Sequence, residues 1–351
     1  MKILAFETSC DETGIALVEG KKSGDAFEFK VLRQALLSQA ALHAPYGGVY
    51  PDLAKREHQK NLPALYKEFA DDEYDAVAVT VGPGLEPALW QGIEFAERVA
   101  RDKHVPLLPI NHMEAHLLSS LAKPTTEHSY ILENVGMSVL ALLISGGHTE
   151  FVLMQEWLQY KVIGKTLDDA VGEAFDKVAR MLDLPYPGGP EISKHATAAR
   201  EKKLVSDIKL PRPMLHTGTC DVSFSGLKTA ALYSLRDKKL SADEKAAFAA
   251  EFEEAVGDIF VQKTRQALND TGAKTFVIGG GVAANRYLRE RLEQLVLDEF
   301  PDCDFRLPHL AITGDNAVMI AQCALTRALS GKKEDGAETL RAVGNLSITK
   351  N

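Results

Sequence analysis

His112 and His116 stand four residues apart in Asn111-His112-Met113-Glu114-Ala115-His116. On a helix, positions i and i+4 share a face, so two imidazoles there can converge on one divalent ion. The plain alternative is a pair of histidines on a polar helix face. Val105 to Ile110 reads as a buried strand, and Asn111 is suited to cap the helix that follows it. A zinc peptidase is the enzymatic competitor, because its paired histidines enclose a glutamate that serves as general base. Here that position holds Met113, and Glu114 falls about 200° around the helix from His112. Glu114 lies where a carboxylate completes a capping box with Asn111, and capping is its expected role. Two imidazoles need at least one more ligand. Asp315, in Thr313-Gly314-Asp315-Asn316-Ala317 before an apolar helix, would complete a set of two histidines and a carboxylate. Capping that helix is an equally natural role for Asp315.

The elements that must position these groups alternate between β-rich runs and helical periods from end to end, so the class is α/β. Two stretches echo one another. Ile3 to Phe6 enters the polar turn Glu7 to Gly14 and then Ile15 to Val18; Val139 to Ile144 enters Ser145-Gly146-Gly147-His148-Thr149-Glu150 and then Phe151 to Leu153. Both read as strand, small-residue turn, strand, and such turns can bring backbone N–H groups close to an anion. They equally suit ordinary hairpins. Phe276 to Ile278 runs into Gly279-Gly280-Gly281 and a helix near Asn285, a junction that accepts a nucleotide well. Between these, Leu167 to Leu184 has the period of a helix, with Val171, Ala174, Phe175, Val178 and Leu182 on one face and Asp169, Glu173 and Asp176 on another. The acidic stripe is by itself most simply a solvated face.

Composition narrows the function classes. The chain has 351 residues, enough for two lobes without disulfide staples. Met1 to Phe6 is too short an apolar run for a signal peptide, and no run approaches the ~20 residues that span a bilayer. Cys10, Cys220, Cys303 and Cys323 are scattered without metal-binding or disulfide spacing, as in a reduced cytoplasmic protein. A net charge of −9 argues against broad nucleic-acid affinity while leaving room for one basic face.

Taken in order, the motifs resemble one family, the TsaD/Kae1 subunit of tRNA threonylcarbamoyladenosine synthesis, in its bacterial form. The matching stretches are Glu7 to Thr13, Tyr46 to Pro51, Gly82-Pro83-Gly84, His112 to His116, Ser145 to Thr149, Gly172 to Lys177, Tyr186 to Pro190, Ser223 to Thr229, Gly280 to Arg286, and Asp315-Asn316. They cover nearly the whole chain.

The resemblance implies an actin-like, Hsp70-type (ASKHA) fold of two ribonuclease-H-like lobes around a central cleft. The lobes are expected at 1–110 and 111–325, with a helical insertion around 165–235 and a segment 326–351 packing back on the first lobe. It implies an acyltransferase that moves the threonylcarbamoyl group of threonylcarbamoyl-AMP to the exocyclic amine of the adenosine beside the anticodon, in tRNAs reading codons that begin with adenine. It assigns the metal to His112, His116 and Asp315, the phosphate or carbamoyl end of the substrate to Leu143, Ile144, Ser145, Gly146 and Gly147, and the nucleoside to Asp176, Gly189 and Asn285. The ligand chemistry suits Fe(II), which is favoured, or Zn(II). No side chain stands out as general base; Asp11 and Glu12 are candidates. Partners implied are tRNA, a TsaB-like paralogue and a TsaE-like ATPase, with no membrane. The chain departs from the family pattern at Pro87 to Gln91, where Trp90 adds bulk, and at Ala115, where glycine is common. A metallopeptidase, under the O-sialoglycoprotein endopeptidase label, and a non-catalytic nucleotide-binding scaffold are the alternatives. Met113 speaks against the first and the retained ligand set against the second.

Overall fold

The structure is a computed structural model, and it describes residues 1–133, 135–331 and 340–350. The chain forms two compact units. The first gathers Met1–Leu42, Val49–Val135 and, among the described residues, those from Pro308 onward; the second holds His43–Gly48 and Gly136–Leu307. No helix among the described residues is long and apolar enough to cross a membrane.

In the first unit, β1 (Lys2–Glu7), β2 (Glu12–Ser23), β3 (Ala26–Ser38), β4 (Ala76–Gly82), β5 (Leu107–Asn111), β6 (Lys123–Thr126) and β7 (Ser129–Leu132) form one sheet of order β5-β4-β1-β2-β3-β7-β6. β1, β2 and β3 pair antiparallel, whereas β1, β4 and β5 run parallel. Every residue of β4 is buried, as expected of a parallel strand covered on both faces. After the short α1 (Ala40–His43), α2 (Pro51–Tyr66) and α3 (Glu86–Lys103) cover the sheet through Leu62, Ile93, Phe95 and Val99. α4 (His112–Leu121) and α10 (Ala317–Leu329) pack on each other, and α10 lies on β1 and β2. Gly20 of β2 permits that approach, because a Cβ there would sit 2.8 Å from Leu325 Cδ1.

In the second unit, β8 (Val139–Ile144), β9 (Thr149–Glu156), β10 (Gln159–Lys165), β11 (Thr275–Gly279) and β12 (Asp304–Arg306) have the order β10-β9-β8-β11-β12. Again the first three pair antiparallel and the last two join in parallel. This repeats β3-β2-β1-β4-β5, so the echo in the sequence is a repeated ribonuclease-H-like sheet. The helices are α5 (Val171–Met181), α6 (Gly188–Glu201), α7 (Ser225–Leu235), α8 (Ala242–Thr271) and α9 (Arg286–Glu299). α8 is framed by a capping box between Ser241 and Glu244 and by left-handed Gly272. Its Phe248, Phe252 and Phe260 anchor a core shared with Phe175, Phe224 and Phe276.

Two expectations change. α5 is shorter than the 167–184 span because Ala170 is extended and the backbone leaves the helix at Leu182, although Val171, Ala174, Phe175, Val178 and Leu182 are all buried as the period required. The division of the chain also falls elsewhere than at residue 110: α4 and α10 bury themselves against the first sheet, which carries 111–135 and 308–325 into the first unit. Residues 340–350 lie there too, with Val343 N donating to Val81 O at 2.9 Å and Gly84 N to Gly344 O at 3.1 Å. The remainder of the 326–351 segment, at 332–339 and 351, lies outside the described residues.

Candidate active site

All ten residues of α4 are buried. The histidines therefore do not occupy a solvated polar face; the helix is enclosed on all sides, and its polar groups must find partners inside the protein. Asn111 caps α4 as its type predicts, its side chain accepting from Met113 N at 2.9 Å and Glu114 N at 3.2 Å. Glu114 departs from expectation. Its carboxylate accepts from Arg327 Nη1 of α10 at 2.8 Å, a buried ion pair that ties α4 to α10. A capping box is a weak, exposed interaction, and a buried guanidinium outbids it for the carboxylate.

Asp315 is released from capping by its neighbour. Asn316 is the N-cap of α10, accepting from Met319 N at 3.0 Å, while its Nδ2 donates to Gly314 O at 2.7 Å. Asp315 instead meets both histidines: its Oδ1 lies 3.3 Å from His112 Nε2 and 3.1 Å from His116 Nε2. The two rings are 4.6 Å apart and nearly perpendicular. One donor atom from each of the three residues lies within 4.8 Å of the others.

Glu7, at the end of β1, completes the arrangement. It is fully buried, accepts from Ser9 N and Thr80 Oγ1, and stands 3.2 Å from His112 Nδ1. A carboxylate only accepts, so Nδ1 donates to Glu7, and Nε2 is the nitrogen turned to Asp315. Sequence reasoning passed over Glu7. Its one signal was an acid closing a wholly apolar strand run.

Burial opposes charge throughout this cluster, but the flanking Asp315 and Glu7 carboxylates outweigh it at His112 and hold that imidazole well above its ordinary range. For Asp315, burial is likewise outweighed, by His112, and the carboxyl stays well below the usual range. At His116, burial prevails and lowers the value. The cluster thus sustains a positive charge on His112, between Asp315 and Glu7. A divalent ion answers the same electrostatics, and neighbouring ligands on an ion with bonds of about 2.1 Å sit about 3.0–3.4 Å apart. The Asp315–imidazole separations match that spacing, and the donor set fits a metal. Glu7→Gln should lower metal affinity by about 10–100-fold by weakening the orientation of His112, as measured by competition with a chelating indicator.

Close by in sequence, burial and the carboxylates of Asp11 and Asp315 push Glu12 up to about 9.

The residues that the resemblance assigns to substrate all fall in the second unit. Leu143 and Ile144 are fully buried inside β8, backbone included, so the structure leaves them no surface for a ligand and the expected contact shortens to Ser145, Gly146 and Gly147. Ser145 closes the β8–β9 turn, with Ser145 N donating to His148 O at 2.9 Å. Gly172 N donates to Ser145 O at 3.2 Å, which seats the start of α5 against this turn. Asp176 Oδ1 accepts from Gly188 N at 2.7 Å, at the N-terminus of α6, so it leaves the solvated stripe. Asn285 caps α9, accepting from Leu288 N at 2.9 Å, and reaches Ser193 of α6. Contacts thus run from the β8–β9 turn to α5, to α6 and to the turn before α9.

The glycines separate into two kinds. Gly280 has φ +89°, and a Cβ there would be 2.4 Å from Ile144 O, so packing explains it. Gly146, Gly147, Gly189 and Gly281 have no such backbone demand, and a Cβ on any of them would meet nothing within 4 Å. Nothing in the fold requires glycine there, and the open space leaves room for a ligand to approach the backbone. Gly280→Ala should cost about 1–3 kcal/mol of stability. Gly146→Ala should shift stability by less than about 0.5 kcal/mol yet raise KM for the adenylate on the order of tenfold. Thermal melts beside steady-state kinetics distinguish the two.

Comparison with known proteins identifies the family. A family model described as TsaD, tRNA N6-adenosine threonylcarbamoyltransferase, matches residues 30–322. A tRNA N6-adenosine threonylcarbamoyltransferase of Aromatoleum aromaticum is 41% identical over 345 residues, covering 97% of this chain and 94% of that protein. One of Thermosipho africanus is 39% identical over 355 residues, covering 99% and 100%. Among solved structures, full-length HypF in its phosphate- and nucleotide-bound form has a TM-score of 0.55 at 14% identity, over 93% of this chain and 46% of that one. Component A of (R)-2-hydroxyglutaryl-CoA dehydratase from Acidaminococcus fermentans has a TM-score of 0.50 at 13% identity, over 93% and 99%. These distant structures bear on the fold alone, which is of the actin and Hsp70 type. The relatives match from end to end, and the chain belongs to the tRNA N6-adenosine threonylcarbamoyltransferase family.

Proposed function

We propose that this chain is a tRNA adenosine threonylcarbamoyltransferase. It takes the threonylcarbamoyl group from threonylcarbamoyl-AMP and passes it to the exocyclic amine of the adenosine beside the anticodon, in tRNAs reading codons that begin with adenine. AMP leaves. The observation that carries this reading is the near full-length match to transferases of that name.

His112, His116 and Asp315 would hold one divalent ion, Fe(II) in preference to Zn(II), with Glu7 fixing the His112 tautomer. Bound there, the ion supplies a Lewis acid for a carbonyl attacked by a weakly nucleophilic aryl amine. The exposed Gly146 and Gly147 give the phosphate or carbamoyl end access to backbone N–H groups at the turn. Asp176, Gly189 and Asn285 receive the nucleoside. The peptidase alternative lacks its base: Met113 stands where the glutamate is needed, and the Glu114 carboxylate is bound to Arg327.

A chain with a net charge of −9 handles tRNA with help, and the partners are a TsaB-like paralogue and a TsaE-like ATPase. Trp90 on α3 is 37% exposed, so its bulk is open to contact by such a paralogue. A tRNA substrate and four free thiols suit the cytoplasm. The test is transfer to an ANN-decoding tRNA by the purified chain with both helpers and threonylcarbamoyl-AMP. Modification of the adenosine, lost on metal chelation and regained on adding Fe(II), is the expected result. No modification, or cleavage of a glycoprotein instead, overturns the reading.

A further inference from the structure

Asn285 has almost no hydrogen-bonding capacity to spare. Its Oδ1 accepts from Leu288 N at 2.9 Å, while its Nδ2 donates to Ser193 Oγ at 2.8 Å and to Glu253 Oε1 at 2.7 Å. Both amide hydrogens are used, and one oxygen lone pair remains. Rotating the amide by half a turn would place its oxygen against the Glu253 carboxylate and its NH2 against the Leu288 N–H, so the orientation is fixed. Glu253 is itself fully buried in α8 and held from two further sides: Ser193 Oγ donates to Oε1 at 2.8 Å, and Arg200 Nη1 donates to Oε2 at 2.6 Å. The Arg200 guanidinium is stacked on the Tyr287 ring of α9 at 3.7 Å.

Such a carboxylate is expensive to bury and must be paired to be tolerated. Packing alone would have been served by an apolar residue. What the charge adds is two acceptor oxygens facing three donors, an arrangement that a neutral amide cannot reproduce. We propose that Glu253 is a positioning residue for nucleotide binding: it fixes the Asn285 amide so that only its oxygen is free to meet a nucleoside, as acceptor from a hydroxyl or amine. This rests on the reading that Asn285 belongs to the nucleoside site.

The experiment measures AMP affinity of the full-length chain by titration calorimetry, with the melting temperature of each variant alongside. Glu253→Gln sets an NH2 against either Asn285 or Arg200 and should weaken AMP binding about tenfold, the order of a lost charge-assisted hydrogen bond. Asn285→Asp opposes two carboxylates and should weaken it at least as much. The double variant Glu253→Gln with Asn285→Asp exchanges amide and acid, restores donor to acceptor, and should return affinity to within about threefold of the parent. Wild-type AMP affinity in folded Glu253→Gln, whatever its melting temperature, overturns the proposal and leaves a structural role only. If Asn285→Ala also binds AMP normally, the nucleoside assignment of this turn fails as well. Should Glu253→Gln not fold, Ser193→Ala removes one partner of both residues; unchanged affinity there overturns the proposal equally.

Discussion

His116→Ala is expected to abolish stoichiometric metal binding and to slow threonylcarbamoyl transfer on the order of a thousandfold or more. The size follows from the several kcal/mol that a Lewis acid contributes to an acyl-transfer barrier, at a factor of ten for each ~1.4 kcal/mol. The site gives no easy replacement, because His112 and His116 are 4% and 1% exposed and Asp315 Oδ1 already serves both imidazoles. Elemental analysis after anaerobic purification, beside single-turnover transfer, checks both halves of the expectation. Activity that survives with the metal gone would remove the metal from the reaction.

Arg327→Ala should destabilise the protein by about 3–5 kcal/mol, because it removes the guanidinium that pairs with the Glu114 carboxylate in the interior. Glu114 is fully buried, and the pair joins α4 to α10 at 2.8 Å. These are the helices that carry the two histidines and follow Asp315, so metal affinity should fall together with stability. Replacing both members by leucine should recover most of the stability, since a buried ion pair stabilises little more than an apolar pair of similar size. Denaturant unfolding of the single and double variants measures this. A single variant as stable as the parent would show that Glu114 reaches water or another cation.

What the sequence disclosed, it disclosed through local physics. The repeated strand-turn-strand pattern was visible because β1 and β8 are nearly unbroken apolar runs followed by turns of small residues. Asn111 was recognisable as a cap, and the His112–His116 spacing as a shared helix face, because both depend on neighbours within one turn. Asp315 was different. By local rules it was a cap as readily as a ligand, and only family resemblance favoured the second; the structure gives the cap to Asn316. Glu114 was misread for the same reason in reverse, since its true partner lies 213 residues along the chain. Glu7 and Glu253 escaped notice because their partners come from other elements, and no periodicity marks a buried acid as an orienting group.

The first unit is built from both ends of the chain, with α10 closing over β1 and β2. On the ribosome this reverses the order of completion. The first sheet emerges early but keeps an uncovered apolar face until the residues beyond Ala317 are made, while the second unit, contiguous from Gly136 to Leu307 but for the short His43–Gly48 segment, is able to fold first. Premature termination between Leu307 and Asp315 yields a polypeptide able to form the glycine turns but lacking the carboxylate shared by His112 and His116.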